Sequence, residues 1–156
     1  EVRQEKPAVP RRAAHLVALE RLEELERDDP IARGAMVEFY VRVTEILRLY
    51  LRDRFGVDAI DMTTSELRPA MERARMPGED VNWSAAYMSH ADLAKFAKYT
   101  PDAERAREDF QEAREFVERT RFMGEEPGES GPDEGDEGDR TADGDREAGS
   151  EHEEEP

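Results

Sequence analysis

Between Met36 and Phe55 apolar residues recur on two adjoining helical tracks, Met36, Tyr40, Val43, Leu47, Tyr50 and Phe39, Val43, Ile46, Leu51, Phe55. Together they make a stripe too wide for one partner helix, so the spacing predicts a central helix that several others must cover. A narrow polar line is left over, Glu38, Arg42, Glu45, Arg48 and Arg52, with Glu38 and Arg42 at the i,i+4 spacing of a solvated ion pair. Gly56 falls where a left-handed C-cap is wanted, and Val57 where it folds back on Leu51.

The flanking segments carry the same period. Ala13 to Asp28 reads as an amphipathic helix with Leu16, Leu19, Leu22 and Leu25 on one side and Glu20, Glu23, Glu24, Glu26, Arg21 and Arg27 on the other. Asp28 and Asp29 end it, and Asp29 before Pro30 is an entry signal for the next helix, whose first turn Gly34 loosens. Thr63 with Glu66 forms a capping box, stapled by Met62 and Leu67, and opens a third helix. Pro69 keeps that helix short or kinked, ending near Arg75, with Pro77 and Gly78 closing it. A fourth helix over Glu79 to Lys98 presents Val81, Trp83, Tyr87, Ala91, Ala94 and Ala97 on one face, with Met88 and Phe96 beside them. Ser89 and Asp92 resemble a cap, but a single helix is the preferred reading. For the fifth helix, Thr100 is the predicted N-cap and Pro101 the first residue, with Asp102 and Glu104 in the first turn. It runs to about Arg121 and buries Ala103, Ala106, Phe110, Ala113, Phe116 and Val117. No stretch alternates with a period of two, so the predicted class is all-α: a compact bundle of about five helices over residues 13–122.

Charge changes the picture only at the ends. Fifteen of the acidic residues, against two arginines, fall after Met123, which accounts for −13 of the chain's net −17 and leaves about −4 for the rest. From Gly124 onward there is no large aliphatic and no aromatic side chain. Such a composition cannot offset the entropy of ordering a backbone, and residues 123–156 are predicted to be a disordered acidic tail. Residues 1–12, with Pro7, Pro10, Arg3, Lys6, Arg11 and Arg12, read as a basic linker of the sort found beside the cytoplasmic end of a membrane span.

Candidate chemistry is sparse. The chain has no cysteine, which removes disulfides, thiol catalysis and cysteine-rich zinc sites. The histidines are His15, His90 and His152. His90 lies between Ser89 and Asp92 and is the best general-base candidate, though a partly buried or surface histidine is the simpler reading. His152, among glutamates, is a conceivable weak metal ligand. No HExxH and no phosphate-cradling glycine-rich loop is present, so metalloprotease and nucleotide-binding readings lack their parts. No cofactor is expected, and an enzyme is not expected. A nucleic-acid-binding module is the alternative, with Arg68, Arg73 and Arg75 on the short third helix mimicking a recognition helix, against Glu66, Glu72 and the acidic balance.

Three stretches, EFYVRVTEILRLYLRDRFGVDAIDMTTSEL, ADLAKFAKYTP and a final FVERT, are together similar to one family. They resemble the cytosolic C-terminal helical domain of BatD-like membrane-anchored proteins from bacterial aerotolerance-type operons, over about Ala13 to Arg121. The pattern falls on Phe39, Tyr40, Leu47, Arg48, Tyr50, Leu51 and Phe55, on Thr63, Thr64 and Glu66, and on Ala91, Asp92, Lys95, Phe96, Ala97 and Pro101. It departs at Pro69 and in NWSAAYMSH, where the family is richer in leucine. The resemblance implies a non-catalytic interaction domain behind a transmembrane helix, at the cytoplasmic face of the bacterial inner membrane. It implies MoxR-type AAA+ ATPases and von Willebrand factor A domain proteins as partners. Most matched positions already have a packing reason; Asp92 and Lys95, an i,i+3 pair, do not. With Tyr99 they make the candidate partner-binding surface.

Overall fold

A computed structural model of the protein describes residues 12–96 and 98–121, all within the first of the two units into which the chain divides, Glu1–Gly124. The expected linker, apart from Arg12, and the expected disordered tail lie outside the described residues. The fold is all-α: α1 (Ala14–Asp28), α2 (Met36–Tyr50) continued by a π turn (Leu51–Phe55), a 3-10 turn (Ala59–Asp61), α3 (Thr64–Arg73), α4 (Gly78–Lys95) and α5 (Ala103–Thr120). Among the described residues there is no strand.

α2 is the centre. It buries Phe39, Tyr40, Val43, Thr44, Ile46, Leu47 and Tyr50 and packs on α1, α4 and α5, while α3 lies against α4. Width of stripe is what decides this, because a helix apolar over so much of its circumference can hide only beneath several neighbours. The polar line behaves as expected at Arg42, which pairs with Glu38 at 3.1 Å, but not at Arg48. That guanidinium is drawn inward and donates to the carbonyls of Ala59 at 2.7 Å and Met62 at 2.6 Å, tying the 3-10 turn to α2. Burial lowers its pKa, the cost of holding a charge away from water.

The C-terminal end of the central helix closes at Gly56, in the left-handed region at φ 77°. The Gly56 N–H bonds to Arg52 at 3.0 Å and the Val57 N–H to Leu51 at 3.2 Å. Both bonds span one residue more than in an ordinary Schellman end, because the π turn is wider than an α turn. At the other end, Pro30 does not begin α2. Residues 30–34 form a separate helical turn that closes on Gly34, at φ 76°, with Gly34 N–H bonded to Ile31 and Ala35 N–H bonded to Pro30. Gly34 therefore terminates a turn rather than loosening the first turn of α2.

α3 opens with the predicted box: Glu66 N–H donates to Thr63 Oγ1 at 3.2 Å and Thr63 N–H to Glu66 Oε1 at 2.9 Å. Its other end is a Schellman motif, with Arg75 N–H bonded to Glu72 and Met76 N–H bonded to Met71. The left-handed position is held by Arg75 at φ 63° rather than by glycine. A Cβ in that region costs roughly 1 kcal/mol, so Arg75→Gly is expected to raise the unfolding free energy by about that amount in a denaturant titration. Pro77 and Gly78 do not merely close α3; the Pro77 carbonyl accepts from Asp80 at 2.9 Å and Val81 at 3.0 Å and starts α4.

α4 runs unbroken through Ser89 and His90 but stops at Lys95, three residues before the expected end. Ala97 lies outside the described residues, and Phe96 is turned out to solvent instead of joining the buried face. Asp80, in the first turn, is buried, with Arg119 Nη2 at 3.4 Å. Burial pushes its carboxyl above the usual range, opposed by Arg119. A raised carboxyl pKa means that the folded state loses stability as pH rises from the unfolded value through the folded one. The stability of Asp80→Asn relative to the parent should accordingly grow over that acid interval and level off above it, measured by denaturant titrations at several pH values.

α5 begins two residues later than predicted. Asp102, not Thr100, is the N-cap, its carboxylate accepting from Arg105 N–H at 2.9 Å. Pro101 is buried before the helix, and Ala103 is exposed. Ala106, Phe110, Ala113, Phe116 and Val117 are buried as expected. Phe116 stacks on Trp83 with centroids 4.5 Å apart and meets the edge of Tyr50 at 6.0 Å, the aromatic layer that joins α2, α4 and α5. In α1, Leu22 and Leu25 are in the core, whereas Leu16 is 48% exposed; it lies off the Ala18, Leu22, Leu25 track that faces the core.

Candidate functional site

The last turn of α4 carries the predicted surface. Lys95 Nζ is 3.8 Å from Asp92 Oδ1, an ion pair without hydrogen-bond contact. The stronger bond of Asp92 goes elsewhere, its Oδ2 accepting from Thr64 Oγ1 at 2.6 Å. That bond pins the first turn of α3 to α4, so Asp92 has a structural reason of its own. Lys95 lies 6.0 Å from the Phe96 ring. Leu93 and Phe96, one turn apart, are 48% and 66% exposed, and Tyr99 is 42% exposed. Tyr99 is packed on His90, with ring centroids 5.7 Å apart. The expected surface joined Tyr99 to the charged pair; Leu93 and Phe96, which were not part of it, add to Tyr99 an exposed apolar ridge.

A second cluster lies beneath that ridge. Asp109 of α5 is fully buried, and its Oδ2 accepts from the Tyr40 hydroxyl of α2 and lies 2.9 Å from His90 Nε2 of α4. The Asp109 carbonyl accepts from the Tyr87 hydroxyl at 2.7 Å. Arg105 Nε comes within 3.1 Å of Oδ1, but off the alignment of a hydrogen bond, so this oxygen has no hydrogen-bond partner. Burial, then the hydrogen bond from its own hydroxyl to Asp109, holds the Tyr40 phenol well above its ordinary pKa. Tyr87 is raised for the same first reason, with the Asp109 charge adding to it. Both tyrosines stay neutral donors. The sequence held a signal for this hub: Asp109 follows Ala106 by three and precedes Ala113 by four, on the apolar face of α5 where a carboxylate needs partners.

No protein-family model, curated protein or solved structure matches this chain.

An imidazole bonded to a buried carboxylate is half of a general-base device. Here the half is turned inward. His90 gives Nε2 to Asp109, its ring meets the Tyr40 ring edge-on at 5.9 Å, and Tyr99 covers it. The cluster fastens α2, α4 and α5 together at one level of the bundle through the bonds to Asp109 Oδ2 and to the Asp109 carbonyl. Among the described residues no group of three or more His, Asp and Glu side chains could hold a metal ion, and no helix is long and apolar enough to cross a membrane. His15 lies in α1, half-buried, and His152 is outside the described residues. Of the arginines that would make α3 a recognition helix, Arg68 is bonded to Asn82 at 3.1 Å and pairs with Glu72 at 3.8 Å, Arg73 is exposed in the last turn, and Arg75, also exposed, lies past the C-cap with a left-handed backbone.

Proposed function

We propose that the bundle is a non-catalytic protein-interaction domain that docks its partner through the C-terminal end of α4. The observation that carries this reading is the ridge of Leu93, Phe96 and Tyr99, large apolar side chains exposed together where α4 ends, beside the Asp92–Lys95 pair. Large apolar side chains exposed together mark a surface for protein contact, tyrosine being a frequent anchor, while adjacent charges set orientation. The BatD-like resemblance supplies the partner: a MoxR-type AAA+ ATPase or a von Willebrand factor A domain protein, met at the cytoplasmic face of the bacterial inner membrane.

The variant Leu93→Ser with Phe96→Ser tests it better than charge reversal, since Asp92→Lys would also break the bond from Thr64. Both side chains are exposed, so the melting temperature should stay within a few degrees of the parent. Co-purification with a MoxR-type ATPase or a von Willebrand factor A domain protein should fall by about tenfold, the effect of losing about 1.4 kcal/mol from the two side chains together. Undiminished co-purification would remove the ridge from the interface, and failure of the parent chain to capture either protein would remove the partner assignment.

A further inference from the structure

α4 differs from the other helices on the side it turns to solvent. From Val81 to Ala91 it has no Asp, Glu, Lys or Arg, the longest such run in a chain of which 40% of the residues are charged. α5, by contrast, exposes Glu104, Arg107, Glu108, Glu112 and Glu115. The outward stripe of α4, at helical spacing, is Asn82, Ala85, Ala86, Ser89, Leu93 and Phe96, all exposed except Ala85, which is half-buried. Depletion of charge, more than apolarity as such, marks the core of a protein interface. The stripe is also uneven in size. Its first half is small, and beside it a groove of about 690 Å³ lies open between α3 and α4, with Ala85, Ala86, Ser89, Thr63, Ser65 and Arg68 among its lining residues. Its second half carries Leu93 and Phe96 of the exposed ridge. One face thus holds both large side chains and the space to receive them, as a twofold pairing of identical faces requires.

Charge selects the direction. Glu79, in the first turn of α4, and Lys98, just past its last, are exposed and have no ion-pair partner among the described residues. Two copies running antiparallel bring each of these groups to its opposite, whereas parallel copies set like beside like. The end of α5 lies next to the start of α4, where Arg119 Nη2 is 3.4 Å from Asp80 Oδ1. Antiparallel pairing therefore sets the two α5 ends, from which the strongly acidic stretch continues, at opposite ends of the pair.

We propose that a second copy of this chain packs antiparallel on the outer face of α4, about a twofold axis at Ser89. Leu93 of each copy then faces Ala85 of the other, and Phe96 faces Asn82. The inference rests on the ridge being an interaction surface, as the proposed function does, and adds what covers it in the free chain. Pairing and partner docking exclude each other.

Sedimentation of the full chain needs no partner protein, so its outcome is independent of the partner assignment. One helix face, about 27 Å long, makes a small interface, and the average mass should rise toward twice the monomer value between about 10 μM and 1 mM chain. Ser89→Arg, which sets a charge on the axis, should stay monomeric over that range, and so should Ala86→Glu. Both positions are exposed, so helix content and melting temperature should not change. Cross-linking reads the register. The chain has no cysteine, and helices about 8 Å apart bring the Cα atoms that face across the axis within disulfide reach. Ser89→Cys should therefore oxidise to a covalent pair faster than Arg107→Cys, an exposed position on α5. A parent chain still monomeric at the highest concentration would overturn the pairing, as would Ser89→Arg and Ala86→Glu chains that associate like the parent. Equal rates of cross-linking from positions 89 and 107 would overturn the axis.

Discussion

Tyr50→Ala is expected to lower the unfolding free energy by about 4–5 kcal/mol, near the top of the range for removing a large core aromatic. Two losses add. The ring is completely enclosed at the level where α2 meets α5, edge-on to Phe116 at 6.0 Å and to Phe55 at 6.3 Å, so its removal leaves a cavity that fixed aromatic neighbours cannot fill. The hydroxyl lies 2.8 Å from Thr120 Oγ1, which itself donates to the Phe116 carbonyl at 2.7 Å; the tyrosine is therefore the donor in the first bond. Tyr50→Phe isolates that part and should cost about 1 kcal/mol. Leu16→Ala, on the exposed side of α1, should fall within about 0.5 kcal/mol of the parent. Urea titrations of the three variants check the ordering. A Tyr50→Ala cost near that of Leu16→Ala would mean that α2 is not the centre of the bundle.

What the sequence discloses and what it conceals divide along a physical line. The central helix was legible because burial on several sides leaves a wide apolar stripe that does not depend on which partner covers which track. The capping box at Thr63 and Glu66 was legible because both bonds are made within four residues. The N-cap of α5 was not, since Thr100 and Asp102 are both good caps and the burial of Pro101, a tertiary effect, favours the later one. Phe96 has the right period to be buried in α4, yet the helix ends at Lys95 and the side chain is left outside. Arg48 falls on the polar line of α2, and only the path of the chain over Ala59 to Met62 brings two carbonyls to it. As for the candidate site, Asp92, Lys95 and Tyr99 were legible as a group near the end of α4; the bond from Thr64 that gives Asp92 a structural role joins residues 28 positions apart. Asp109 was missed although it interrupts an apolar face, because its meaning comes from Tyr40 and His90 on two other helices.

The importance of that interruption gives the second large effect: Asp109→Ala should cost about 3–5 kcal/mol, comparable to breaking one partner out of a buried ion pair. Removing the carboxylate leaves the fully buried Tyr40 hydroxyl without an acceptor, takes the partner of His90 Nε2 away, and leaves Arg105 without its opposite charge. Each buried group left unpaired carries the penalty of lost hydration, about 1–3 kcal/mol. Asp109→Asn distinguishes geometry from charge. Its amide oxygen can still accept from Tyr40, while the attraction for Arg105 is lost, so its cost should be about half that of alanine. The two losses should also separate in a cycle with Tyr40→Phe. Once the hydroxyl is gone, Asp109→Ala no longer strands it, and the double variant should be more stable than the sum of the single costs predicts by at least about 0.5 kcal/mol. Strict additivity would show that Tyr40 and Asp109 do not form one network, and the polar link between α2 and α5 would then rest on Tyr50 and Thr120.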